Sequence, residues 1–178
     1  MQNQAYARKM KISNLQQMAK TIIYVQENGF NTQEDLKTKL SSENTKLAET
    51  QEKLSILTTE LKTVNEQIHF TGQYQQHKRI YSDFLKSNNK KKFRQDHSAE
   101  VTAYEEARRW IKDHLANETI ESIASLKNRK SHLQEQIQKQ KQAFQAQKNI
   151  CHDLEIANTN VSGILDMKYR VNSYEHQL

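Results

Sequence analysis

Leu40, Leu47, Leu54, Leu61 and Ile68 stand seven residues apart, with mostly polar residues between them. That spacing is the repeat of a coiled-coil seam, in which every seventh residue returns to the same stripe of a helix. Leu36, Leu57 and Val64 fill the second seam position, which Glu43, Thr50 and Thr71 weaken. The pattern predicts one long helix from Gln33 to about Lys86. After Ile68 the phase slips, because Phe70, Tyr74, Tyr81 and Phe84 continue on a shifted face. Gly72 lies inside the slip, so a bend or a change of partner is expected there.

Three further helices flank this one. Ile12, Leu15, Met18 or Ala19, Ile22 or Ile23, and Val25 recur at three- and four-residue steps, which gives a helix over Ala5–Asn28 one apolar face. Gly29 sits where a left-handed C-terminal cap is wanted. Thr32, with Asp35 three residues later, resembles a capping box that opens the long helix. A third, shorter helix, capped by Asp96 or Ser98, places Val101, Tyr104, Ala107, Ile111 and Leu115 on one face. Asn117 and Thr119 punctuate the chain, and a fourth helix extends from Ile120 towards Leu165. Its stripe is Leu126, Leu133, Ile137, Phe144, Cys151, Leu154, Val161 and Leu165, with Lys130, Gln140, Gln147 and Asn158 at the remaining seam positions. The final stretch, "MKYRVNSYEHQL", carries no clear pattern.

Two long striped helices joined by a compact segment are expected to fold back as an elongated antiparallel coiled-coil hairpin of the all-α class. Forty to fifty residues give an arm on the order of 60–75 Å long. The expected divisions are an N-terminal helix at the base (1–30), a first arm (31–86), a basic loop and tip helix (87–118), a second arm (119–166) and a tail (167–178). A parallel dimer through the first arm is disfavoured, since a second stripe in the same chain is present at high effective concentration.

Composition narrows the picture further. The 178 residues include no proline and three glycines, so nothing breaks the long helices. Hydrophobic residues make up 35%, too few for a thick single core but enough for a narrow seam. The net charge is +6, with a pI near 9.3, which is compatible with an anionic partner. One cysteine, Cys151, excludes an internal disulfide framework and fits a reducing interior. No apolar run approaches the ~18 residues of a membrane span, and the basic start has no apolar signal core, so a cytoplasmic location is expected.

Catalytic chemistry finds no foothold in the pattern. Seven histidines (69, 77, 97, 114, 132, 152 and 176) form neither HxH nor HExxH, so no metal site is expected. The seven tyrosines have no visible activating base or metal, and Tyr74, Tyr81 and Tyr104 fall on apolar faces. Cys151 lies in the seam and reads as a small buried hydrophobe. The glycines form no phosphate-binding loop, and no cofactor is expected.

The exception is a basic corner. Within residues 78–94, Lys78, Arg79, Lys86, Lys90, Lys91, Lys92 and Arg94 oppose Asp83 alone, and Arg108, Arg109 and Lys112 can join them from the third helix. Clustered Lys and Arg release counterions on meeting phosphates, which predicts salt-sensitive, largely sequence-independent binding. Phe93 is a candidate to stack on an unpaired base. The structural alternative is a solvated loop between helices, in which Lys complements a helix C-terminus and Phe93 plugs the tip.

Two stretches resemble a known family. "YARKMKISNLQQMAKTIIYVQENGF" (Tyr6 to Phe30) is similar to the segment after the nuclease domain of relaxases from Gram-positive integrative conjugative elements and mobilisable plasmids. Tyr6, Lys11, Ile12, Asn14, Leu15, Gln17, Met18, Ala19, Tyr24, Asn28 and Gly29 match that pattern. "KKFRQDHSAEVTAYEEARRWI" resembles a second family stretch through Lys91, Lys92, Phe93, His97 and Val101, and the Thr119-Ile120 helix start also fits. The resemblance spans roughly residues 6–165. Relaxases nick DNA with a tyrosine and a histidine-held metal in an N-terminal domain, and nothing here corresponds to that constellation. The resemblance therefore implies the non-catalytic C-terminal region of such a nuclease, with the nuclease domain expected just before Tyr6. It further implies an auxiliary role: binding transfer-origin DNA, accessory proteins of the relaxosome, or the coupling and secretion proteins that export the relaxase to a recipient cell. The alternative is a coiled-coil spacer or homodimerisation module with no nucleic-acid contact.

Overall fold

The structure, a computed structural model, describes residues 2–115 and 119–175, and the side chains of residues 8–115 and 119–164 among them. Asn117 and His176 lie outside the described residues, as do the side chains of Tyr6, Leu165, Tyr169 and Tyr174. The described residues form five α-helices and no strand: α1 (Gln2–Glu27), α2 (Gln33–Lys86), α3 (Lys90–Asp96), α4 (Ser98–His114) and α5 (Ile123–Glu175). They group into two units. The first holds α1 with the start of α2 and the end of α5, and the second holds the rest of α2, α3, α4 and the start of α5.

In the first unit, α1 stops as local chemistry dictates. Gly29 takes φ +69°, the left-handed value that a Cβ disfavours. The Phe30 amide donates to the Val25 carbonyl at 3.0 Å and the Gly29 amide to that of Gln26 at 3.1 Å, the paired bonds of a Schellman cap. The expected capping box then opens α2. The Thr32 amide donates to Asp35 Oδ2 at 2.9 Å, and the Asp35 amide returns to Thr32 Oγ1 at 3.1 Å. The amide of Thr32, followed by its hydroxyl, holds the Asp35 carboxyl below its ordinary range.

α2 and α5 pair antiparallel in each unit, as expected of the hairpin. In the first, Gln147 meets Glu43 across the seam, and Leu36, Leu154 and Ala157 form the buried core with Tyr24, Phe30, Leu40 and Val161 against it. In the second, Arg129 reaches Glu60 at 2.6 Å. The seven-spaced leucines are not the deepest residues of the seam, however. Leu40, Leu47, Leu54, Leu61 and Ile68 are half-buried, whereas Leu36, Glu43, Val64 and Thr71 of the supposedly weaker position are buried. The facing stripe of α5 sets this depth, since Gln147 and Leu154 stand seven apart and lie against Glu43 and Leu36, also seven apart.

Four local expectations are corrected. Only the edge of the apolar face of α1 packs: Met18 and Val25 are half-buried, as is Tyr24, while Ile12, Leu15, Ile22 and Ile23 are exposed and Thr21 is buried. Asn160 of α5 donates to Thr21 Oγ1 at 2.8 Å, and that bond turns the polar edge of α1 inward. The basic loop is largely a helix, α3, whose N-cap Asn89 accepts from the Lys92 amide at 3.0 Å. Neither Asp96 nor Ser98 caps α4; His97 holds that position with no side-chain cap bond. α5 starts three residues later than Ile120, because Ser122 Oγ accepts from the Ser125 amide at 3.1 Å, and it runs on through the unpatterned tail to Glu175.

The phase slip after Ile68 brings a change of partner while α2 stays helical through Gly72. Phe70 stacks on Trp110 at 4.9 Å between ring centroids, and Tyr74 and Tyr81 stack on Tyr104 at 5.0 and 4.2 Å. The α4 face carrying Val101, Tyr104 and Ala107 is buried as expected. Offset ring pairs of this kind add about 0.5–1.5 kcal/mol each beyond their buried area.

Candidate nucleic-acid interface

The basic residues singled out by sequence fall on three helices of the second unit. Lys78, Arg79 and Lys86 are exposed on the last turns of α2, with Arg79 and Lys86 seven apart on one stripe. Lys90, Lys91 and Lys92 make up the exposed first turn of α3. Arg108 and Arg109 are exposed on α4. Among the described residues, none of these eight forms an ion pair with an acidic side chain within 4.0 Å.

Arg94 and Phe93 differ from the lysines beside them. The Arg94 guanidinium pairs with Glu105 of α4 and lies 5.8 Å from the Phe84 ring centroid. Phe93 is half-buried, 6.2 Å from Phe84 and 4.6 Å from the His97 imidazole. Both side chains fasten α3 to α2 and α4, so the fold already employs them. The aromatic file goes on to Tyr81 and Tyr104. Burial, followed by the hydrogen bond with Tyr74, pushes the Tyr104 phenol up to about 12, so it stays neutral.

Helix polarity separates two kinds of lysine here. Lys86 ends α2, where a cation faces the negative end of the macrodipole. Lys90, Lys91 and Lys92 occupy the first turn of α3, where the dipole repels cations by a few tenths of a kcal/mol each. Loop solvation and helix capping therefore account for Lys86 but not for the lysine triplet.

Sequence reasoning missed one surface beside these residues. A groove of about 720 Å³ is lined by Leu61, Lys62, Asn65, Glu66, His69, Phe70 and Trp110, among others. Trp110, the single tryptophan, sits just off the apolar face assigned to α4, which is why the face pattern passed over it. It lies between Phe70 and His114, stacked at 4.9 and 4.5 Å. Its ring is thus engaged by two neighbours, as the ring of Phe93 is by Phe84 and His97.

Among the described residues, no three His, Cys, Asp or Glu side chains gather where they could hold a metal ion, and no helix is long and apolar enough to cross a membrane. No protein-family model, curated protein or solved structure matches the chain.

Proposed function

We propose that this chain is the non-catalytic C-terminal region of a bacterial conjugative relaxase, and that its second unit holds the parent nuclease on DNA through phosphate contacts. The observation that supports the DNA contact is the set of exposed basic side chains lacking acidic partners, above all Lys90, Lys91 and Lys92 at the end of a helix that disfavours them. Because Phe93 and Trp110 are engaged by neighbouring rings, charge rather than base stacking carries the affinity. Single and double strands are then bound alike, weakly and without sequence preference. The relaxase assignment rests on the two resembling stretches. In that setting the region is auxiliary to transfer-origin nicking, and relaxosome or coupling proteins are its further partners.

The test is a salt titration of DNA binding by the purified chain. Each phosphate contact contributes roughly 0.9 to the log–log salt slope on duplex DNA and roughly 0.7 on single strands. Lys90→Ala/Lys91→Ala/Lys92→Ala is expected to flatten the slope by two to three such steps at unchanged helicity. Flat binding at low salt, or binding indifferent to the triple change, sinks the DNA reading. A second reading, a coiled-coil spacer or dimerisation element, would then stand, and the structural use of Phe93 and Arg94 favours it.

A further inference from the structure

Asn28 is the only asparagine of the chain followed by glycine. That pairing carries a reaction of its own. The main-chain nitrogen after an asparagine can attack the side-chain carbonyl carbon, and a Cβ on the following residue obstructs the approach. Gly29 has none, and the space where one would stand is open. Both residues are exposed, so water and hydroxide reach them.

The α1 cap holds both reacting groups. The Gly29 amide, which supplies the nucleophile, donates to the Gln26 carbonyl at 3.1 Å. Asn28 Nδ2, the leaving group, donates to the Tyr24 carbonyl at 2.8 Å. Attack requires the first bond broken, to free the nitrogen for deprotonation, and the second broken, to turn the carboxamide towards it. One event breaks both: opening of the Schellman turn, whose apolar clasp is Phe30 against Tyr24 at 6.4 Å between ring centroids. Helix ends open at the low-energy limit of local unfolding, and this helix leaves most of its aliphatic stripe in water.

We propose that Asn28 is a self-modification site gated by the α1 cap. When the cap opens, hydroxide removes the Gly29 amide proton and the nitrogen attacks Asn28 Cγ. The bond from Cγ to Nδ2 breaks, Nδ2 leaves as ammonia with a proton from water, and a five-membered succinimide remains. Water then opens either ring carbonyl, leaving aspartate or isoaspartate at position 28. One water is consumed and one ammonia released, with no change of oxidation state. Neither product rebuilds the cap as it was. The donor to the Tyr24 carbonyl is gone, and a carboxylate stands at the negative end of the helix macrodipole. The isoaspartyl link also threads the main chain through Cβ and Cγ, which displaces Gly29 and Phe30 from their acceptors. Phe30 packs on the core of the first unit, so a transient opening becomes a permanent loosening of α1 there. The inference needs none of the residues of the DNA reading.

Peptide mapping of the intact chain held in mildly alkaline buffer tests it, with an isoaspartyl-specific methyltransferase to count the rearranged product. Asn28 should convert ahead of every other asparagine and give both products, and Asn28→Gln, whose longer side chain closes the ring far more slowly, should abolish the signal. In guanidinium the wild-type rate should rise about tenfold, the factor by which a cap closed about nine-tenths of the time slows a reaction of its open form. Tyr24→Ala removes the clasp and touches neither reacting group, so it should speed the native reaction about threefold and leave the rate in guanidinium unchanged. Conversion of native Asn28 no faster than that of the other asparagines overturns the proposal. Equal rates in buffer and guanidinium, or a native rate indifferent to Tyr24→Ala, overturn it equally.

Discussion

α1 and α4 are both striped helices, and they treat their stripes in opposite ways. α4 buries Val101, Tyr104 and Ala107, while α1 leaves Ile12, Leu15, Ile22 and Ile23 in water. The difference lies in what each helix finds across from it. α4 meets Phe70, Tyr74 and Tyr81, flat rings that stack on Tyr104 and Trp110. α1 meets Asn160, which needs a hydroxyl, and Thr21 supplies it. Apolar spacing thus says which face of a helix is able to bury, and the chemistry of the neighbour decides which face does.

The contrast breaks most sharply at Tyr104. Tyr104→Ala removes the ring on which Tyr74 and Tyr81 stack, and a loss of about 3–5 kcal/mol is expected from urea unfolding. A loss under 1 kcal/mol would mean that the ring file does not hold α4 in place.

A smaller effect belongs to the polar layer of the first unit. The buried Glu43 carboxylate accepts from Gln147 Nε2 at 2.6 Å and pairs with Lys46 and Lys39 at 2.8 and 2.9 Å. Glu43→Ala removes one of the two bonds that Gln147 Nε2 makes to residue 43, leaving the 3.1 Å bond to its main-chain carbonyl, and should cost about 1–3 kcal/mol with the space it empties. Glu43→Leu with Gln147→Leu, an apolar layer of similar shape, should be as stable as the original or more so. A double variant as weak as the single one would show that the ion cluster, rather than the filled space, holds the seam.

Titration sharpens the same comparison from both ends of the pH scale. Lys46, then Lys39 and Gln147, draw the Glu43 carboxyl from its ordinary 4.5 down to about 2. Its contribution is therefore complete above pH 4.5 and is lost as pH falls towards 2. Tyr104, raised from 10.0 to about 12, behaves in the reverse sense: its contribution is complete below pH 10.0 and is lost as pH climbs through 12. Urea midpoints at acid pH should thus depend in part on Glu43 and those at alkaline pH in part on Tyr104, and each dependence should weaken in Glu43→Gln and Tyr104→Phe respectively.

The smallest change is expected on α1. Leu15→Ser/Ile22→Ser should shift stability by no more than about 0.5 kcal/mol, as for exposed sites generally. A loss several times larger would place that stripe inside the fold.

What the sequence revealed of this architecture was what lies within one turn of itself. Gly29, Thr32 and Asp35 were legible because their bonds join residues three to five apart. The heptads of α2 and α5 were legible as stripes, since periodicity belongs to a single helix. Depth within the stripe was not, because Glu43 and Leu36 sink only where Gln147 and Leu154 face them, about a hundred residues along the chain. The same limit hid the inward turn of Thr21, which depends on Asn160. At the basic corner the lysines could be read directly, while the engagement of Arg94 by Glu105 required the return of α4 along α3. Asn89 did carry a local signal for α3, a good N-cap before "KKKFRQD", but three lysines in a first turn speak against a helix start.

Nature has left one probe in each unit. Cys151, the single thiol, is 3% exposed in the first, and Trp110, the single indole, is stacked on Phe70 in the second. Alkylation speed in native buffer will follow transient opening of the one, and fluorescence the loosening of the other. A single unlabelled sample can therefore reveal whether the two melt together or in turn.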